Sequence, residues 1–205
     1  QSSKTDDGDQ AFPRGGAPTS TRGHIPHTYG SLIYLAENPR IDANRIGIMG
    51  FSYGAILSMV TVSSELTGSY TGGKYKFAAH LPLYFPCWTG NAVMEGKIKS
   101  YNQNLWQVTT SAPVHILAGE KDDYGDPDMC PKFMAALPES AQKKVAVTVY
   151  PDAFHGWDTH EDRTYYDKFA FSGKGGTVRH FRNPVIAEKS KAFAVDFFKT
   201  SLGAK

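Results

Sequence analysis

The sequence predicts an α/β protein in which a mainly parallel sheet lies between two layers of helices. Three observations carry this. Four apolar runs, at 45–50, 77–85, 113–118 and 145–150, are continuous rather than alternating, as strands buried on both faces are. Stretches with helical periodicity lie between and around them, the connection pattern of a parallel sheet. The first run passes through Gly50-Phe51-Ser52-Tyr53-Gly54 straight into a helix-like stretch. That strand–turn–helix order presents a serine hydroxyl at the C-terminal edge of a sheet, with glycines where Cβ atoms would crowd the turn.

The 205 residues fit one domain with a sizeable core. Residues 1–24 read as an irregular arm, with Asp6-Asp7-Gly8-Asp9, Pro13, Gly15-Gly16 and Pro18. A helix is expected over 27–38, where Tyr29, Leu32, Ile33 and Ala36 share a face and Pro39 stops it. Asp42-Ala43-Asn44 turns the chain into the strand at 45–50, and a helix over 55–66 follows the serine. The run at 77–85 is closed by Pro86, and 88–111 is polar with embedded aromatics. The strand at 113–118 ends at Gly119; a helix over 130–137 and the strand at 145–150, ended by Pro151, come next. Residues 156–184 read as irregular. The last helix, 185–201, carries Ile186, Phe193, Ala194, Phe197 and Phe198 at helical spacing.

Composition excludes several classes. Hydrophobic residues are 40%, charged residues 20% and net charge +2, which describes a globular chain. Charges are scattered, and Lys97-Ile98-Lys99 and Lys143-Lys144 are too short for a nucleic-acid surface. No apolar run reaches the ~20 residues of a membrane span, and residues 1–10 hold no signal-peptide core. No nucleic-acid or membrane partner is therefore expected. The two cysteines, Cys87 and Cys130, lack metal-type spacing. Both follow predicted strand ends on one edge of the sheet, which fits either a single disulfide or two buried thiols.

A serine hydroxyl needs a neighbouring base, and the base an orienting carboxylate. After Ser52, the third strand runs out into Gly119-Glu120-Lys121-Asp122-Asp123 and the fourth into Tyr150-Pro151-Asp152-Ala153-Phe154-His155-Gly156. All three loops leave strand C-termini, where ligands bind in such sheets. His155 is the expected base. His80 and His115 sit inside apolar strands and read as core residues; His24, His27 and His180 have no strand-end context. Asp122 and Asp123 compete for the acid. Asp122, nearer the strand end, is preferred. Asp126 and Asp128 suit a turn or helix start. His155 and His160 lack partners for a metal site, so neither metal nor cofactor is expected.

With these pieces in order, the chain resembles the dienelactone hydrolase family of α/β-hydrolases from about Pro13 onward. The matching pieces are Ile41-Asp42-Ala43-Asn44-Arg45-Ile46-Gly47, the pentapeptide around Ser52, the acid loop and Tyr150-Pro151-Asp152-Ala153-Phe154-His155-Gly156-Trp157-Asp158. The resemblance implies an α/β-hydrolase-type three-layer sandwich. It implies Ser52 as nucleophile, Asp122 as acid, His155 as base and the Tyr53 amide as an oxyanion donor. Members similar to this chain carry cysteines near both positions, which implies a Cys87–Cys130 disulfide and an exported location, periplasmic or secreted; without it, a cytoplasmic one.

The chain departs from the family pattern twice. The founding members look to use cysteine where Ser52 stands, which favours a general ester hydrolase. Such folds also begin with further strands and a His-Gly-Gly type loop that supplies a second oxyanion amide. Gly15-Gly16 is a poor substitute, so the chain reads as the C-terminal two-thirds of the fold, to be completed beside 45–50 by another segment or chain. The function expected is a serine carboxylester hydrolase acting on a small-molecule ester. Trp88 and Trp157, with Tyr53 and Trp106, are expected to line its pocket; core packing is the competing reading for each. The alternatives are a peptidase of the prolyl-oligopeptidase type and a non-catalytic binding or structural protein on the same scaffold.

Overall fold

A computed structural model describes residues 21–126, 128–170 and 175–203. Strands β1 (Gly47–Phe51), β2 (Ala79–Leu83), β3 (Val114–Gly119) and β4 (Val145–Tyr150) form a parallel sheet in that order. All strand pairs are parallel, with Gly50 opposite Pro82 and Gly119 opposite Tyr150. Spatial order equal to chain order has a consequence. Crossovers between parallel strands share one hand, so the connecting helices fall on one face of the sheet.

That face holds the larger core. It joins Ala55, Met59 and Val60 of α2 (Tyr53–Val60), Val93 of α4 (Cys87–Met94) and Phe133 of α5 (Met129–Ala136). Short helices α3 (Ser64–Thr71) and α6 (Glu139–Gln142) belong to the same connections. Helix α1 (Thr21–Ala36) adds Ile25, Tyr29 and Leu32 to this core. The opposite face is covered by α7 (Pro184–Leu202), whose Ile186 and Ala194 pack with Leu81, Leu83 and Leu117. Side chains on β3 alternate accordingly: Val114, Ile116 and Ala118 enter the first core and Leu117 the second. His80 is wholly buried, and its Nδ1–H donates to the Ser58 carbonyl.

Several elements differ from expectation. Residues 21–24 belong to α1, which therefore begins six residues before 27 and carries Pro26 inside it; the rest of the expected arm lies outside the described residues. The helix expected over 55–66 is two helices. Ser63 accepts from the Leu66 amide to start α3, while the chain around residue 110 docks on the break through Thr110 N–H to Val62 O. Trp106 reinforces this by donating to the Met59 carbonyl. The polar segment 88–111 contributes most of α4. The stretch expected to be irregular contains an antiparallel hairpin, β5 (Arg163–Asp167) and β6 (Gly176–His180). Among the described residues, β2 is the one strand paired with β1, and no described strand fulfils the expectation of further pairing beside it. On that edge strand Met49 and Phe51 are 38% and 43% exposed.

Candidate active site

The turn after β1 is enforced by crowding. A Cβ on Gly50 would lie 2.1 Å from the Gly54 carbonyl oxygen, so no other residue fits. Gly54 itself has open space where a Cβ would point, contrary to the expectation that both glycines relieve a clash. Ser52 takes φ 50° and ψ −109°, a left-handed conformation that costs a non-glycine residue about 1–3 kcal/mol. Its amide is held by the Leu83 carbonyl, one strand over. The hydroxyl therefore stands at the end of the sheet, and the Tyr53 amide opens α2 without an intrahelical acceptor.

The acid and base loops are fastened to each other. Glu120 N–H donates to Tyr150 O and Lys121 N–H to Ala153 O. A Cβ on Gly119 would meet the Ala153 carbonyl at 2.4 Å, so this close approach also requires glycine. The loops bring Asp122 Oδ2 to 2.7 Å from His155 Nδ1, and His155 Nε2 to 2.8 Å from Ser52 Oγ. A carboxylate accepts only, so Nδ1 carries the proton and Nε2 is left to accept from the serine hydroxyl. His155 is 1% exposed. Asp123 faces elsewhere: it accepts from the Arg179 amide and, through both oxygens, from its guanidinium. Of the two carboxylates, Asp122 is thus the hydrogen-bond partner of His155.

Three rings surround the imidazole. Tyr84, Tyr124 and His180 have centroids 4.7, 4.5 and 5.0 Å from it. Burial, with Asp158 alongside, holds the Tyr84 hydroxyl well above its ordinary value, and it donates to Asp158. Burial and a hydrogen bond to Asp167 do the same for Tyr124. Burial, reinforced by His155, lowers His180 to about 4, and its Nε2 lies 2.8 Å from the Tyr165 hydroxyl. The histidine is therefore flanked by groups that are neutral near pH 7. Among the described residues, no cluster of three or more His, Cys, Asp or Glu side chains could hold a metal ion.

The sequence model of the dienelactone hydrolase family matches residues 2–199. The chain belongs to the dienelactone hydrolase family. No curated protein matches it in sequence. Among solved structures it is similar to an esterase of Pyrococcus furiosus, at 18% identity and a TM-score of 0.49, over 69% of this chain and 57% of the other. A thermophilic esterase of Thermogutta terrifontis, with butyrate bound, shares 12% identity at a TM-score of 0.54, over 87% and 65%. A puromycin-hydrolyzing peptidase of Mycobacterium tuberculosis shares 15% at 0.56, over 88% and 25%. The last two likenesses support the α/β-hydrolase fold. The chain spans little more than half the length of the first of these structures.

A cavity of about 620 Å³ opens beside Ser52 and Tyr53. Trp88 and Trp106 line it. Trp157 does not. It is fully buried under the sheet, donating from Nε1 to Ser190 Oγ, because the chain turns inward directly after His155. Cys87 and Cys130 form a disulfide with Cα atoms 5.1 Å apart, joining the first turns of α4 and α5 next to the cavity wall. Gly15-Gly16 lies outside the described residues. Sequence reasoning missed Tyr84, Tyr124 and His180. His180 ends β6, where it pairs with Arg163, within a stretch whose sequence shows no strand pattern.

Proposed function

We propose that the chain is a serine hydrolase that cleaves carboxylic esters through an acyl-enzyme. The unbroken hydrogen-bond relay Asp122–His155–Ser52 carries this reading. Ser52 Oγ attacks the ester carbonyl while His155 Nε2 takes its proton. As the tetrahedral intermediate collapses, the carbon–oxygen bond to the alcohol breaks and His155 returns the proton to the leaving alkoxide. Water, deprotonated by the same nitrogen, then attacks the acyl carbon; the bond to Ser52 Oγ breaks, the acid leaves and His155 returns the proton to Ser52 Oγ. Asp122 holds the imidazole in the tautomer that accepts at Nε2. The Tyr53 amide, at the positive end of α2, is assigned to the oxyanion.

The disulfide supports an oxidising compartment, hence an exported protein. No helix among the described residues is long and apolar enough to cross a membrane. The test is labelling with a fluorophosphonate, followed by peptide mapping. One adduct per chain on Ser52, abolished in Ser52→Ala together with turnover of p-nitrophenyl esters, is the expected outcome. No adduct on a folded protein would refute the reading.

A further inference from the structure

The cavity beside Ser52 has a direction. Ser52, Ile56 and Val60 all line it, four residues apart, so it runs down one stripe of α2 from the nucleophile. Its outer rim holds exposed Arg22 and Phe169, the latter 54% exposed. Its inner end is formed by Val60, Val93 and Trp106, which are 2%, 4% and 3% exposed. The stripe from Ser52 to Val60 spans roughly 12 Å at about 1.5 Å per residue.

The cavity wall keeps one buried donor without a partner among the described residues, Trp88 Nε1, while the inner end itself is apolar. The indole nitrogen of Trp106 is already bound to the Met59 carbonyl, and the inner valines offer nothing to a polar group. At the rim, the Asp167 carboxylate is engaged by the Tyr124 hydroxyl and the Phe169 amide. A charge carried to the inner end would go unpaired. Orientation follows from the histidine. His155, the group that protonates the leaving alcohol, is not part of the cavity wall, whereas Tyr53 is. The alcohol is accordingly assigned to the His155 side and the acyl group to the cavity, an orientation the comparison of acyl and alcohol lengths below decides.

We propose that this cavity is an acyl site for uncharged, medium-chain carboxylic esters of about eight carbons, the length at which an extended chain, advancing roughly 1.3 Å per bond, fills it. The assignment rests on the ester-hydrolase reading above and deepens it. Val60 and Val93 set the length limit, since they stand where the far end of such a chain stops.

The test compares kcat/KM for p-nitrophenyl acetate, butyrate and octanoate, and for ethyl against octyl acetate, using the full chain. Octanoate should exceed acetate on the order of 10²-fold, with little dependence on alcohol length. Val60→Phe and Val93→Phe should each lower the octanoate-to-acetate ratio at least about tenfold. If both unfold, Val93→Ala serves instead and should move the preferred length upward to decanoate. Rates that fall with acyl length, or that follow the alcohol, overturn the acyl site while fluorophosphonate labelling of Ser52 still upholds the hydrolase. Absence of both labelling and turnover overturns both.

Discussion

Two adjacent aspartates have been given different work by one backbone step. Asp122 faces His155 and Asp123 faces Arg179. Replacing Asp122 by Asn keeps the size but offers a donor to Nδ1, which favours the wrong tautomer. The expected cost is about 10⁴ in kcat. Asp123→Asn removes an ion pair that ties β6 to the acid loop, so it should loosen the hairpin and cost far less in kcat. Steady-state rates for both variants check this, and the reverse ranking would transfer the acid to Asp123. Ser52, Asp122 and His155 were legible because each stands a few residues past a strand end, and strand ends are readable from apolar runs. Trp157 was misread because adjacency to His155 in sequence says nothing about which side of the sheet a side chain enters. Tyr124 and Tyr84 were invisible for the same reason: their packing on the imidazole is decided by elements distant in the chain.

At the scale of elements, all four strands and the last helix follow from apolar runs and periodicity. The failures share a cause. The break between α2 and α3 depends on a backbone hydrogen bond from Thr110, nearly fifty residues away, and the β5–β6 hairpin on polar anchors such as Arg179 to Asp123. Neither leaves a hydrophobic pattern. The Cys87–Cys130 link joins α4 to α5 across 43 residues of sequence. Closing a loop of that length is worth about 4 kcal/mol through the unfolded chain. Melting with and without reductant, or with Cys87→Ala/Cys130→Ala, should show a lowered Tm. Because α4 also carries Trp88 and Val93, octanoate turnover should suffer more than acetate turnover. An unchanged Tm would mean that the disulfide constrains little.

For the whole molecule, the weak point under acid is the centre of the sheet. Burial lowers His80 to about 4, with the Ser58 carbonyl opposing that shift only in part. The unfolded chain, with an ordinary imidazole near 6.5, binds more protons between these values, so stability rises with pH across that window. Acidifying from about pH 6.5 to pH 4 should cost up to about 3 kcal/mol through His80 alone. His180, also lowered, acts in the same direction. Urea midpoints at pH 7 and 4.5 measure the slope, and His80→Gln should flatten it. A midpoint indifferent to pH in the native chain would contradict the assignment.

The disulfide also divides the chain topologically. Residues 87–130 form a covalent ring that contains Trp88, Val93 and Trp106 of the cavity and Asp122 of the relay, while Ser52 and His155 lie outside it. Exposed Lys99, Ser100, Asn102, Gln103 and Asn104 form the ring's outward rim. A protease cutting there would open the ring yet release no fragment, since the two pieces would stay tied through sulfur. Such a cut would place Ser52 on one piece and His155 on the other, so the disulfide would become the one covalent tie between them.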